Sequence, residues 1–584
     1  MAVQQPDQPG PPAAKPGDER LDSWKEIAAY LKREIRTLHR WEAQEGLPIH
    51  RHLHKERGSV YAYKSELDSW WNNRRAVLDK APPGVEVKGQ PKWLKSVYLV
   101  SLAIVLVSAI YLAWRQFWPQ TGPAKKVMLA VLPFENLNGQ SGEDYFSDGL
   151  TDELITRLGG LEPVHLGVIA STSAMQYKRS GKSASQIGHE LGVDYILEGT
   201  VWREGNQVRV AVRLVQVGDQ THLWAESYEQ KLGNMLAFHG EVAREVARHI
   251  QLQLAPQKQG TYSAAVVNPD AYEAYLKGLY FWNKFTNPDF HKSIEYFQQA
   301  IDKDAGYAPA YAAMAASYVN LVEFGEPPID YYLKGEAAAR KAIELDGSSS
   351  QGYAALAWSL IYYHHDWNAA EQAAQHALEL NPSNSYARIL YAKYLAAVGK
   401  FDQAREEAER ARRSDPASLA VNVVVAQILF YARQYDAASA QLARVLEMDP
   451  NFPPTYWTLA HVYEATGKPD EACQSMLKTL DLGSGHVPWF AELEKVRARS
   501  GWREAWKQWL QGMLDPKGEG YLQPYYLVEP YVDLGQDEEA ITWLEKAAEL
   551  HDVEIVFIKV DPRFDRLRAK PRFQEIVNSL HFPE

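Results

Sequence analysis

The chain has 584 residues, 46% of them hydrophobic and 23% charged, and a formal net charge of −12. This length exceeds what a single hydrophobic core organises, so several domains are expected. Cys473 is the only cysteine in the sequence, which excludes an internal disulfide and a zinc cluster made of cysteines.

The charge is distributed unevenly along the chain. Residues 20–80 contain thirteen Lys and Arg against nine Asp and Glu, so this part is basic and the remainder is acidic. Such asymmetry indicates a nucleic-acid-binding module joined to a different kind of domain. Residues 1–18 precede it, and their content of Pro, Gly and Gln predicts a disordered tail.

Two short helices are predicted at the start of the basic part. Asp22 or Ser23 can cap the first helix, and Glu26 completes a capping-box pattern with Ser23. Apolar residues then recur at helical spacing along WKEIAAYL. The second helix, IRTLHRWE, has a predicted inner face of Ile35, Leu38 and Trp41.

The opposite face of the second helix is predicted to be basic. Four residues recur there at helical spacing, namely Arg33, Arg36, Thr37 and Arg40. Two helices joined by a tight turn, the second with a basic face, are typical of a helix-turn-helix. Gly46 ends the second helix, IHRHLHKERGSVYAYK predicts a two-stranded hairpin, and SELDSWWNNRR predicts a third helix.

This order of elements resembles the MerR/excisionase-like winged helix-turn-helix family over residues 21–75. The resemblance rests on WKEIAAYL, IRTLHRWE, GLP and VYAYKSELDSW, in that order. It implies DNA binding, with the second helix in the major groove and the hairpin along the backbone. Arginine reads guanine edges, and basic side chains on a wing neutralise phosphates. The candidate DNA-binding residues are Arg33, Arg36, Thr37, His39, Arg40, Arg51, His52, Lys55 and Arg57.

Two other interpretations of this module, residues 19–78, stay open. The first is a small helical domain whose basic face is only solvated. The second is a metal site, because strand alternation places His50, His52 and His54 on one face. The sequence offers no second cluster of ligands, so polar contacts of the wing are favoured over a metal.

A membrane span is predicted at residues 94–115, LKSVYLVSLAIVLVSAIYLAWR. No charged residue lies between Lys95 and Arg115, and the nineteen residues between them would form a helix of about 28 Å, close to the thickness of a bilayer core. A buried soluble helix and a signal peptide are the disfavoured alternatives. Residues 79–93 are a linker. Because DNA is cytoplasmic, the N-terminus is predicted to be cytoplasmic and the chain after Arg115 extracytoplasmic.

Residues 125–255 are predicted to form an α/β domain. LAVLPFENL, YFSDGLTDELITRL, LGVDYILEGTV and VRVAVRLVQVGDQTHLWAESY resemble the TolB amino-terminal-like domain, which implies a non-catalytic interaction module. The stretch from Ser180 to Ser183 looks like part of a phosphate loop, but Gln176 stands where the first glycine of such a loop belongs. The sequence therefore predicts no catalytic residue, no metal site and no cofactor.

Tetratricopeptide repeats are predicted over residues 268–584. Pro382, Pro416 and Pro450 each end a unit and follow one another at the 34-residue period of that family. VDPRFDRLRAKPRFQEIVNSL is predicted to be a C-terminal cap. Stacked helix pairs form a superhelix whose concave face is expected to bind a protein or peptide partner.

The multidomain order, a winged helix-turn-helix, one transmembrane helix, an α/β domain and an all-α superhelix, resembles the architecture of ToxR-like one-component regulators. It predicts a regulator in the inner membrane that binds double-stranded DNA and senses a protein, peptide or envelope signal, with homodimerisation on DNA as the expected response. The rival hypothesis is an envelope scaffold whose head docks a protein instead of DNA. An enzyme with its site in residues 127–254 is a third, disfavoured one.

Overall fold

The computed structural model describes residues 18–52, 59–78, 126–138, 144–162, 165–250, 267–483, 488–514 and 523–583. The chain divides into two compact units between Gln120 and Thr121. Several predictions lie outside the described residues: the tail up to residue 17, the linker, the membrane span at 94–115, His54, Lys55 and Arg57. Within the described ranges, none of the helices combines the length and the apolar character that crossing a bilayer requires.

The described part of the first unit contains three helices and three short strands. They are β1 (Arg20–Leu21), α1 (Trp24–Leu31), α2 (Ile35–Glu45), β2 (His50–His52), β3 (Ser59–Tyr63) and α3 (Lys64–Leu78). The strands form one antiparallel sheet in the order β1-β3-β2. The helices and the hairpin follow the predicted order, and a core that includes the fully buried Ile27, Leu38 and Leu67 joins them.

The turn between α1 and α2 is short. Ser23 caps α1 by accepting a hydrogen bond from the Glu26 amide, whereas the Glu26 carboxylate accepts from the amide of Asp22. The predicted capping box is therefore only half formed. Lys32 ends α1 in the left-handed region at φ 50°, which reverses the chain within three residues before α2 begins.

The second unit begins with a mixed sheet and its helices. The elements are β4 (Val127–Val131), β5 (Glu135–Asn136), α4 (Asp144–Leu161), β6 (Leu166–Val168), α5 (Ser171–Met175), α6 (Ala184–Leu191), β7 (Tyr195–Glu204), β8 (Gln207–Gln216), β9 (His222–Lys231) and α7 (Met235–His249). The strand order is β6-β4-β7-β8-β9, with β4 parallel to both neighbours and β7, β8 and β9 antiparallel. The predicted hairpin turn at Gly205–Asn206 is present.

In the described ranges, eight helix pairs follow the sheet. They are α8 (Pro269–Trp282), α9 (Asn287–Lys303), α10 (Ala308–Glu323), α11 (Pro328–Leu345), α12 (Ser350–Tyr362), α13 (Trp367–Leu380), α14 (Ser385–Ala397), α15 (Phe401–Ser414), α16 (Leu419–Tyr431), α17 (Tyr435–Met448), α18 (Pro453–Ala465), α19 (Pro469–Gly483), α20 (Pro488–Ser500), α21 (Trp502–Met513), α22 (Tyr525–Leu534) and α23 (Asp537–Glu549). From α10 to α18, the first helix of each pair contacts the first helix of the next. These first helices form the inner layer of the stack.

The sheet region and the repeats are packed together rather than separated. Helix α4 contacts α8, and a shared hydrophobic core continues from the sheet into the first repeats. The turn that ends a later repeat also contacts the sheet region: the Ser173 hydroxyl donates to Asp415 at 2.6 Å, and the Ala170 amide donates to the Ser414 carbonyl at 2.8 Å. The two domains predicted at 125–255 and 268–584 thus belong to one compact unit.

The C-terminal residues pack back against earlier repeats. After α23 the chain makes two short 3₁₀ turns, Val553–Phe557 and Pro562–Phe564, and ends in α24 (Pro571–Ser579). The first turn contacts α12 and α14, and the second contacts α18. Residues 553–568 are called the return segment below. The stretch predicted to cap the last repeat therefore lies along the inner layer of the stack.

Candidate nucleic-acid interface

Helix α2 presents Arg36 and Arg40 on its exposed side. Their spacing of four residues places both guanidinium groups on one helix face. Leu38 on the other side is fully buried and holds the helix in the core. Among the residues that the structure describes, neither arginine forms an ion pair with a carboxylate, so both are available to a ligand.

Arg33 lies outside this helix. Glu34 is the N-cap of α2, so Arg33 belongs to the preceding turn, where it donates to the Lys32 carbonyl at 3.1 Å. Its guanidinium lies 5.8 Å from the centre of the Trp71 ring in α3. The structure thus separates Arg33 from Arg36 and Arg40. Thr37 is half-buried in the first turn of α2 and stays beside Arg36 and Arg40.

His39 and Arg51 contact their own module. The His39 ring packs against Trp24 of α1, with ring centroids 4.1 Å apart. Arg51 on β2 donates to the Glu42 carboxylate of α2 at 2.6 Å, although its side chain is 62% exposed. This pair ties the hairpin to α2 and offsets part of the positive charge predicted for the wing. For His52 the structure describes the backbone, in strand β2.

One histidine of the predicted face, His50, also contacts its own module. His50 lies 2.7 Å from the Glu66 carboxylate of α3 and stacks on Tyr61. This contact holds the hairpin against α3. In the described part of the chain, no group of three or more His, Cys, Asp or Glu side chains is arranged to hold a metal ion.

The sequence pattern misplaced one residue of this surface and did not single out another. Ile35 was predicted to face inward, but it is 36% exposed because it starts α2 at the rim of the core. Lys32 is exposed in the turn just before α2, which places a further cation beside the helix start. The left-handed turn at Lys32 sets where both residues lie. The helical periodicity of the sequence does not predict this turn.

The stretch that looks like a phosphate loop has a structural role. Ser183 caps α6 and forms a complete capping box with Gln186. The Lys182 ammonium pairs with the Glu190 carboxylate at 2.7 Å. Both side chains therefore stabilise a short surface helix.

Comparison with family models identifies two parts of the second unit. Residues 124–245 match the model described as "HilA/YgeH-like transcriptional regulator, second domain". Residues 363–428 and 429–481 match tetratricopeptide repeats, as predicted. The chain therefore carries a region similar to part of a transcriptional regulator, followed by repeats of a kind that binds proteins. The predicted resemblance of residues 125–255 to TolB is not among these matches.

Curated relatives share about half of the chain. The putative adenylate cyclase 3 of Rhizobium meliloti is 31% identical over 265 residues, which are 44% of this chain and 43% of that protein. The transcriptional regulator HilA of Salmonella typhimurium is 23% identical over 280 residues, 47% of this chain and 48% of that protein. The matched part thus spans less than half the length of these relatives.

Two solved structures resemble parts of the chain. A thermophilic TPR protein of Thermus thermophilus is 14% identical, with a TM-score of 0.29, and covers 33% of this chain and 99% of its own. Yeast Tom70 is 17% identical, with a TM-score of 0.33, and covers 53% of this chain and 67% of its own.

Proposed function

We propose that the chain is a membrane-anchored one-component transcriptional regulator whose first unit is a winged helix-turn-helix that binds double-stranded DNA. The observation that carries the DNA-binding part is the pair Arg36 and Arg40, exposed and free of carboxylate partners among the described residues. The similarity of residues 124–245 to a domain of HilA/YgeH-like transcriptional regulators supports a role in transcription. The repeats are then the part that binds a protein or peptide partner.

The chemistry of α2 fits a major groove. A guanidinium can donate two parallel hydrogen bonds to the O6 and N7 atoms of guanine, and two arginines four residues apart can follow one groove. Ile35 offers an apolar contact for a thymine methyl group, and Thr37 a hydroxyl for a base edge. Lys32 is placed to neutralise a phosphate. This proposal moves Arg33, His39 and Arg51 from contacts with DNA to support of the module.

The remaining parts of the proposal follow from the order of the chain. Residues 94–115 are the single span in the inner membrane, the head is cytoplasmic, and the second unit is extracytoplasmic, where it senses a protein, peptide or envelope signal. The signal changes the pairing of heads on DNA, so the active form is a homodimer. No catalysis and no cofactor are assigned to the chain. The activity named for the Rhizobium relative stays with that protein.

The test is a DNA-binding selection with a fragment of residues 1–90, followed by salt titration of the selected site. Arg36→Ala with Arg40→Ala is expected to lower the affinity at least tenfold and to reduce the slope of log K against log salt by about 1 for each phosphate that is no longer neutralised. The control is Arg20→Ala with Lys64→Ala, which also removes two positive charges. Both of these cations already pair with carboxylates, at 2.6 and 2.7 Å.

The outcome separates the proposal from its rival. Affinity that falls steeply with salt, and falls only for the α2 pair, supports a DNA reader. If a dimerised fragment selects no DNA, or if both double variants weaken binding equally, the head is not a sequence reader. The scaffold hypothesis, in which the head docks a protein, would then replace the proposal.

A further inference from the structure

The inner layer of the repeats is covered by the chain itself. Extended peptides bind the concave side of such superhelices, and here the return segment lies against that layer. Phe557 stacks almost parallel on Tyr431 of α16, with centroids 4.7 Å apart. Ile555 and Ile558 are fully buried in the same cluster. The segment is held in two 3₁₀ turns rather than in a repeat helix, so it contacts the layer as a bound peptide would.

One arginine anchors the return segment. The Arg563 side chain is only 1% exposed, and its guanidinium donates to the Tyr525 hydroxyl at 2.8 Å and to the Asp561 carboxylate at 2.5 Å. It also donates to the Glu529 carboxylate. Tyr525 and Glu529 belong to α22, whereas Asp561 belongs to the return segment. The arginine therefore joins the segment to the repeat stack through a planar donor group.

The surface that receives Arg563 is strongly acidic. Glu529 of α22 is buried, and the partly buried Asp533 of α22 and Glu464 of α18 lie close enough to affect its charge. Burial raises the pKa of Glu529 to about 7 and that of Asp533 to about 6, and it raises the pKa of Glu464 well above its usual value. The nearby guanidinium opposes all three shifts. A buried group of carboxyls favours the binding of a cation, because burial of ionised carboxylates without a cationic partner costs free energy.

The contacts at the edge of the return segment are weaker. Asp565 pairs with Arg433 in the loop after α16, at 2.7 and 2.8 Å, but both side chains are about half exposed. Exposed ion pairs of this kind add little to stability. Release of the segment is therefore governed by the buried arginine and the apolar contacts beside it.

We propose that the inner layer of the repeats around α12 to α22 is a binding surface for a protein segment with an arginine next to an aromatic residue and aliphatic residues before it, and that the return segment is its resident occupant. A partner binds by replacing the return segment. The partner chemistry follows from the acidic pocket and from the aromatic and aliphatic surface that Phe557 and Phe564 contact. The proposal goes beyond DNA binding and does not depend on it.

The first test is peptide binding to the full chain. The probe is a fluorescent peptide of residues 552–568, DVEIVFIKVDPRFDRLR, and its Arg563→Ala version is the specificity control. The wild-type chain is expected to bind the probe weakly because its own segment competes. The Arg563→Ala chain is expected to bind it on the order of a hundredfold more tightly. The Arg572→Ala chain, which loses a half-exposed arginine of α24 outside the return segment, should behave as the wild type.

Each possible result of this test either supports the proposal or overturns it. Tight binding of the probe, loss of binding by the Arg563→Ala peptide and wild-type behaviour of Arg572→Ala support the proposal. A folded Arg563→Ala chain that binds no better than the wild type overturns it. Equal binding of both peptides overturns the proposal as well, because the pocket would then not distinguish arginine from alanine.

Native-state hydrogen exchange decides the case even if Arg563→Ala fails to fold. In the full chain, the amides of residues 553–568 are expected to exchange at lower denaturant than those of α14 and α16, which means that the segment opens while the repeats stay folded. Asp565→Asn should speed this opening a few-fold. If the segment and the helices exchange only together, in global unfolding, the segment is part of the fixed core and the proposal is wrong.

Discussion

Arginine has opposite roles at the two ends of the chain. In the first unit, Arg36 and Arg40 are exposed and have no carboxylate partner among the described residues. In the second unit, Arg563 is almost completely buried, and it donates to two carboxylates and a phenol. The first pair is free to bind a ligand, whereas the second position is satisfied within the chain. Burial and partners, rather than residue type, decide whether an arginine serves binding or folding.

The same contrast applies to the acids around these arginines. Glu42 near the head surface keeps part of its side chain exposed and pairs with the mostly exposed Arg51. Glu529 and Asp533 are enclosed, and burial raises the pKa of both. A charge removed from the head should therefore alter binding with little effect on folding. A charge removed from the pocket should alter folding first.

The largest effect is expected for Arg563→Met. This change leaves Asp561 and Glu529 without their cation, and we expect it to lower the free energy of unfolding of the second unit by about 3–5 kcal/mol. Chemical denaturation followed by circular dichroism measures it. Adding Asp561→Asn and Glu529→Gln should recover most of the loss, because the penalty comes from uncompensated charge. A triple variant no more stable than Arg563→Met would show that packing, not charge, is responsible.

A smaller, pH-dependent effect is expected for Asp415→Asn. Burial raises the pKa of Asp415 to about 6, although the Ser173 hydroxyl opposes the shift. Because the folded pKa lies above the unfolded one, the carboxyl supports folding fully below about pH 4 and loses that support as the pH rises through 6. The variant stays neutral, so it should be more stable than the wild type by about 3 kcal/mol at pH 8 and close to it at pH 4.

The control for this change is Asp449→Asn, at the matching position of the next repeat. Thermal melting between pH 4 and pH 8 gives the comparison. A gain for Asp415→Asn that does not depend on pH would contradict the explanation. An equal gain for Asp449→Asn would show that overall charge is the cause.

The next effect concerns Arg36→Lys and Arg40→Lys. Lysine keeps the charge but loses the planar pair of donors, so we expect the salt dependence of DNA binding to stay and the preference for guanine to fall about tenfold at the contacted base. Competition with single-base variants of the selected site measures this preference. If both the preference and the salt slope are kept, the two arginines contact phosphates only.

The smallest effect is expected for adjacent glycines in α4. A methyl group on Gly159 would lie 2.7 Å from the Asn381 side-chain oxygen, at the contact between α4 and the repeats, whereas one on Gly160 would lie at an ordinary 3.5 Å from the Leu380 carbonyl. Gly160→Ala should raise stability by about 0.5–1 kcal/mol through helix propensity. Gly159→Ala should lose that gain because Asn381 has to move. Equal gains in thermal melting would show that the interface accommodates a methyl group easily.

Periodicity predicted the helices of the head and the repeats. The 34-residue spacing of Pro382, Pro416 and Pro450 indicates a repeated unit. Each unit is local in sequence, so it can be recognised without knowledge of the others. The hairpin turn at Gly205–Asn206 was equally local. The contact between Ser173 and Asp415 was not predictable, because it joins residues 242 positions apart through two isolated polar side chains.

The candidate surface of the head was predicted only in part. Helical spacing identified Arg36 and Arg40 correctly as neighbours on an exposed face. It failed for Arg33 and Ile35, because the left-handed turn at Lys32 sets where α2 begins. The second half of the return segment was interpreted as the start of a cap, since a sequence pattern shows that a stretch is apolar but does not show which surface it covers.

The late position of the C-terminal residues, the return segment included, also has a consequence for the order of synthesis. The Trp367 indole donates to the Leu580 carbonyl at 2.7 Å across 213 positions of the chain. At about 5–20 residues per second, roughly 10–40 s pass between the emergence of Trp367 and the arrival of its partner. During that interval the repeats already synthesised have an uncovered inner layer, and any chaperone or partner on the side of the membrane where they fold meets that layer first.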